Sequence, residues 1–203
     1  MTDLSFNALV WLTYRLGATF GFSLPLILLI WASVKKEYSL VRLLSIYFKV
    51  SSLIVISILL LTGSRPIGYL TSFISPLIIL ISIWFWSDLN EELRSLPTWK
   101  PLSFSVKLWR WSISFYSCLY SILTFKSLSC IQLINGENCE AWMIDPQRFH
   151  VISNSLFKFL FGANWTEPIA AFIGYIALIA YLIGMLQIIF IRIPKQGRVA
   201  GGF

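Results

Sequence analysis

Residues 67–86 read IGYLTSFISPLIILISIWFW, twenty positions without one charged side chain. As a helix rising about 1.5 Å per residue, this run is about 30 Å long, the thickness of a bilayer's hydrocarbon layer. A barrel strand would alternate apolar and polar residues over about ten positions, whereas this run is apolar on every face, so it is a helix. Gly63-Ser64-Arg65-Pro66 precedes it, and before that turn lies another apolar run, Leu43 to Thr62. The short turn makes the two runs an antiparallel helical hairpin.

Outward from the hairpin, three more blocks follow the same rule. Leu16 to Val34 is bounded by Arg15 and by Lys35-Lys36, and Ile169 to Ile191 stops at Arg192-Ile193-Pro194-Lys195. Leu108 to Phe125 is the weakest, with Arg110 in its first turn and serines through it. The chain is 57% hydrophobic and 12% charged, against roughly 25% charged in a soluble domain. The fold class expected is therefore an all-α integral membrane protein, a single membrane domain over residues 1–203. About five transmembrane helices cover 16–34, 43–62, 67–86, 108–125 and 169–191. No cationic leader with a short apolar region and a cleavage site opens the chain, so no removed signal peptide is expected. No internal repeat at a fixed period is visible.

Lys and Arg divide unevenly between the ends of these spans. Lys35, Lys36, Arg42, Lys49, Arg94, Lys100, Lys107, Arg110, Arg192, Lys195 and Arg198 fall on one side, and Arg15, Arg65, Lys126, Arg148 and Lys158 on the other. By the positive-inside rule the richer side is cytoplasmic, with the N-terminus outside and the C-terminus inside. The connection 126–168 then lies outside, and its stretch 151–161 reads as an interfacial helix. Residues 87–97 read as a polar extension of the third helix. The net charge of +7 flanks the spans and forms no basic domain, so no nucleic-acid partner is expected; membrane lipids are.

Few residues invite chemistry. Cys130 and Cys139 both fall in the outer connection, where an oxidising compartment would bridge them; two unpaired thiols are the alternative. Cys118 lies in the fourth span. His150 is the only histidine, which excludes a haem held by two histidines of this chain and a histidine-rich metal site. An interfacial histidine is far more often hydrogen-bonded than a ligand. Lys49 and Arg110 lie nearest the membrane interior, where ionisable groups are functional candidates, yet both are close enough to the boundary to snorkel to water. Asp88, Glu91 and Glu92 read as a solvated helix end. No catalytic and no metal residue is assigned, cofactor-binding residues stay unknown, and there is room for a bound lipid or pigment. Pro25 and Pro76 are expected to kink their helices, and the tryptophans to form an interfacial belt.

Small residues make the last pattern. Ala170, Gly174, Ala177, Ala180 and Gly184 recur three or four apart along the last span, and Gly17 and Gly21 form a Gly-x-x-x-Gly pair in the first. Such flanks let helix backbones approach closely. The groove suits another helix, either the protein's own first span with its glycine notch or a span of a partner, with 151–165 sharing that surface.

Several stretches resemble a known family. They are Leu9-Val10-Trp11 with Tyr14-Arg15-Leu16, Leu61-Thr62-Gly63 through Arg65-Pro66 to Gly68-Tyr69-Leu70-Thr71-Ser72-Phe73, and Trp84-Phe85-Trp86 leading into Asp88-Leu89-Asn90-Glu91-Glu92-Leu93. Leu160-Phe161-Gly162-Ala163-Asn164-Trp165-Thr166 and the ending Pro194 to Phe203 complete the set. Together they resemble a family of cyanobacterial membrane proteins known as a domain of unknown function, nearly end to end. The resemblance implies a cyanobacterial origin and a thylakoid or plasma membrane, and brings no activity to carry over. The role expected is a non-catalytic accessory subunit or assembly factor of a larger membrane complex, photosynthetic or respiratory, with other integral membrane subunits as partners. The alternative is a small transporter or channel, which would want facing polar groups at mid-membrane or paired broken helices.

Overall fold

The computed structural model describes residues 2–97, 99–131, 137–196 and 199. Every regular element among them is helical. α1 (Thr2–Leu16) continues through a π-helical stretch, Gly17–Ser23, into α2 (Leu24–Val34). α3 (Tyr38–Thr62) and α4 (Pro66–Phe85) form the hairpin, followed by the short α5 (Ser87–Ser95) and the long α6 (Pro101–Phe125). A 3-10 turn, Lys126–Ile131, precedes α7 (Glu137–Phe161). α8 (Glu167–Gln187) runs through a second π-helical stretch, Ile188–Arg192, into α9 (Ile193–Gln196). Among the described residues, four helices are long and apolar enough to cross a membrane: Asn7–Val34, Tyr38–Thr62, Pro66–Phe85 and Glu167–Lys195. They mark an integral membrane protein.

The bundle has two distinct ends. One, the cap end, carries the α3–α4 turn, the 3-10 turn and α7. The other, the basic end, carries α5 and the Glu37–Lys100 ion pair, 3.1 Å long. Toward the basic end the core is built from Leu28 and Ala32 of α2, Leu44 and Tyr47 of α3, Ile83 of α4 and Trp109 of α6. A second buried cluster lies under the cap. A third, Leu53, Ile56, Leu60 and Leu178, joins α3 to α8.

Pro25 explains much of how the first span is held. Proline has no N–H to give the carbonyl one turn back. Here Leu24 N–H reaches Thr19 O, five residues back, so the N–H that Pro25 lacks leaves Phe20 O and Gly21 O with one backbone donor fewer between them. Two side chains from other helices replace it. Trp109 Nε1–H donates to Phe20 O at 2.9 Å, and the Tyr47 hydroxyl donates to Gly21 O at 2.6 Å. Unpaired carbonyls in an apolar interior are costly, and these two bonds tie α1–α2 to α6 and α3 at once.

Several expectations need correction. The fourth block does not stand among the four membrane-length apolar helices; it begins earlier, as part of α6. Residues 87–95 do not prolong α4, because Trp86 is extended (φ −81°, ψ 112°) and α5 turns back to bury Leu89 and Leu93. Their carboxylates are not simply solvated, since Asp88 pairs with Arg42 at 3.5 Å. Trp109 and Trp142 are fully buried core residues and take no part in a belt. Residues 151–161 are no separate helix but the distal half of α7.

Candidate functional site

The cap is assembled by hydroxyls. Pro146, inside α7, deprives Trp142 O of its helical donor, and the Tyr14 hydroxyl of α1 donates there instead at 3.1 Å. The Tyr69 hydroxyl of α4 donates to Cys139 O at 3.2 Å, and Thr62 of α3 donates to Pro146 O at 3.3 Å. Trp142 thus sits beneath Tyr14 and Tyr120, with ring centroids 6.1 and 5.9 Å away. Cys130 and Cys139 are joined by a disulfide, and Cys118 is free and exposed. The proximal half of α7 is therefore fixed to α1, α3 and α4. Asp145 lies here 3.8 Å from Arg148. Burial raises its carboxyl above the ordinary aspartate value, with Arg148 and then Arg15 pulling the other way.

The distal half leaves the bundle as an arm. Phe149, Ile152, Leu156 and Phe159 recur three or four apart, and Leu160 follows Leu156 by four, so they share one face, and all are exposed, Phe159 to 85%. Gly162 ends the helix in the left-handed region (φ +68°), the conformation glycine adopts at no steric cost. The chain then doubles back. Trp165 N–H donates to Asn154 Oδ1 at 2.7 Å, and its ring packs 5.2 Å from that of Phe157. His150 is half-buried on α7, and its Nε2 has no hydrogen-bond partner among the described residues.

The cation of α6 departs from the expectation of a side chain reaching water. Arg110 does not snorkel: it is 6% exposed. α4 stops at Phe85, so its last carbonyls lack intrahelical donors. The Arg110 guanidinium donates to Ile83 O at 2.9 Å and to Asn90 Oδ1, and lies 3.9 Å over the Trp84 ring. Asn90 in turn donates to Trp84 O at 3.0 Å. A cation at a helix C-terminus is favoured by the macrodipole, so Arg110 is the C-cap of a neighbouring helix. The signal in the sequence was the break after Trp86, which leaves α4 in need of such a partner.

The small residues do not form one surface. Ala170, Ala171 and Gly174 are buried, and a Cβ on Gly174 would meet Leu60 at 3.1 Å. Ala177 is half-buried and Ala180 is exposed, while a Cβ on Gly184 would meet nothing within 4 Å. The upper part of the flank thus packs on α3, not on the first span. The glycine notch is filled by tyrosines: a Cβ would lie 2.6 Å from the Tyr116 hydroxyl at Gly17 and 3.6 Å from the Tyr47 hydroxyl at Gly21.

The model of one protein family matches residues 7–201. The chain belongs to that family, described as protein of unknown function (DUF3177). No curated protein and no solved structure matches it. The stretches carrying the resemblance fall on the joints of the molecule: Tyr14 on the cap, Trp84 and Asn90 around Arg110, and Trp165 at the return of the arm. Gly197, Arg198 and 200–203 of the ending lie outside the described residues.

Proposed function

We propose that this protein is a non-catalytic accessory subunit or assembly factor of a larger membrane complex. The observation that carries the reading is the arm: α7 is locked to three other helices over its first half and offers an exposed apolar face over its second. A rigid root with an unpartnered face is what docking on another membrane subunit needs, and at the bilayer interface such an amphipathic face stays stable. The transporter alternative is weakened by its own polar candidates. Ser57, Ser75, Ser114 and Ser121 donate to carbonyls of their own helices, at 2.8, 2.7, 2.8 and 2.7 Å.

The topology that suits this role has five spans, with the N-terminus outside and the C-terminus cytoplasmic. The fifth crossing is α6. It runs antiparallel to α4 over residues 84 to 72 of that helix, with Trp84–Ser114 (2.9 Å) near one end and Ser72–Tyr120 (2.9 Å) and Phe73–Phe125 (6.0 Å between rings) toward the other. Its outward face, Phe104, Leu108, Trp111, Phe115, Leu119 and Ile122, is exposed and apolar. Its one buried cation is already bonded. The eleven-to-five division of cations supports the orientation. A cyanobacterial thylakoid or plasma membrane, and a photosynthetic or respiratory complex, are the setting we infer from the resemblance.

Native electrophoresis of source membranes solubilised with a tagged full-length chain tests the role. Co-migration with a larger complex is expected, and Ile152→Ser with Phe159→Ser should leave the chain in the membrane but migrating alone. Wild-type chain running as a lone homo-oligomer overturns the reading.

A further inference from the structure

Near the basic end α8 parts from α3 and α4 and leaves a groove of about 480 Å³. Val50, Ile78, Ile81, Phe85, Met185 and Ile189 make its walls. The Tyr181 hydroxyl, donating to Val50 O at 3.3 Å, closes it toward mid-bundle. From Tyr181 to Ile193 the helix rises about 18 Å. The lining of this space is almost wholly apolar.

Its charge is as one-sided as its shape. Lys49 and Trp86 line the groove. α3 runs from the basic end toward the cap, and helical side chains lean toward their own N-terminus. Lys49 therefore reaches toward the basic end, where Lys35, Lys36 and Lys195 also lie, and where Glu37 and Asp88 are paired with Lys100 and Arg42. The wall across from it is opened by two features of α8: Gly184, where a Cβ would meet nothing within 4 Å, and the π-helical stretch Ile188–Arg192. π-turns inside helices are frequent at functional sites.

We propose that this groove holds one acyl chain of an anionic membrane lipid, with Lys49 holding the headgroup. The apolar walls match the tail, and the cation on the basic side matches the head. The role as accessory subunit is not needed for this site, and either can fail without the other.

The purified full-length chain in detergent tests it, with dioleoylphosphatidylglycerol as the anionic probe and dioleoylphosphatidylcholine as the neutral one. Bound lipid is read by native mass spectrometry and by tryptophan-monitored thermal unfolding. The wild type is expected to retain one anionic lipid and to melt higher with it. Gly184→Leu, which fills the groove, should bind at least about tenfold more weakly while its lipid-free melting is unchanged. If that variant melts lower without lipid, Ile81→Trp on the exposed α4 wall takes its place. Lys49→Gln should reduce the preference for the anionic lipid about fivefold, the worth of one lysine beside an anionic headgroup. Equal binding of the two lipids by the wild type, or undiminished binding after the groove is filled, overturns the proposal. So does a wild type that binds neither lipid while Gly184→Leu loses a larger complex, for then the groove seats another chain's helix.

Discussion

Proline carbonyls organise this molecule one residue at a time. Tyr47 exists as a donor because Pro25 cannot be one, and Tyr14 stands in the same relation to Pro146. Tyr47→Phe would leave Gly21 O unpaired, at a cost of about 1–3 kcal/mol. Adding Pro25→Ala should restore much of the lost melting temperature, because Trp109 keeps Phe20 O and the alanine N–H is left for Gly21 O. Equal melting of the single and double variants would sink this account. Gly174→Leu collides with Leu60, so the protein should fail to accumulate, as overpacked sites cost about 1–3 kcal/mol or more; normal accumulation would place that flank elsewhere. Asp145 gives a pH-dependent case. Its folded carboxyl holds a proton more tightly than the unfolded one, so its stabilising effect is full below the ordinary aspartate value and is lost as pH rises through the raised one. Asp145→Asn should therefore gain melting temperature over wild type at pH 7, and the gain should shrink toward about pH 4. Neither proline's carbonyl partners were legible in the sequence, because a donor 26 or 128 residues away leaves no local pattern. Pro25 itself was visible only as a kink.

At the scale of the helix, the disulfide and Arg110 do similar work at opposite ends. The bridge closes a loop of sequence separation 9, and on the chain-entropy model reducing it costs about 2–3 kcal/mol. Reductant should thus lower the melting temperature and make the start of α7, residues 137–146, protease-sensitive; unchanged melting would mean that the tyrosine bonds hold the cap alone. Arg110→Ala strips α4 of its cap and α5 of its tie through Asn90, with about 1.5–3 kcal/mol at stake for each charged hydrogen bond. Helices of clean apolar composition were readable within a few residues, α3 and α4 most closely. α6 was not, for a physical reason. Hydropathy counts Arg110 and the serines as exposed, whereas Ser103 and Ser117 are buried and the guanidinium is satisfied within the bundle. Likewise the helical period showed α7's apolar face but could not show that Pro146 and Cys139 root it.

For the whole molecule the decisive measurement is sidedness. Cysteine labelling or reporter fusions should find residues after Arg192 in the cytoplasm and the 126–168 connection on the opposite face; both on one side would mean that α6 does not cross. The small-residue stripe of α8 was legible as a seam, but not its partner, because α3, whose Leu59 and Leu60 fill it, advertises no complementary notch. That seam bears on biosynthesis. At Gly63 a Cβ would stand 2.6 Å from that of Ala171, so the start of α8 plugs the turn of the hairpin. Yet Ala171 leaves the ribosome about a hundred residues later, on the order of 5–20 s at about 5–20 residues per second. During that interval the inserted hairpin has an empty seat, and in a bilayer lipid tails fill it. The last helix must therefore evict lipid to dock, and a ribosome stalled before Glu167 leaves behind a hairpin whose open side marks it as unfinished.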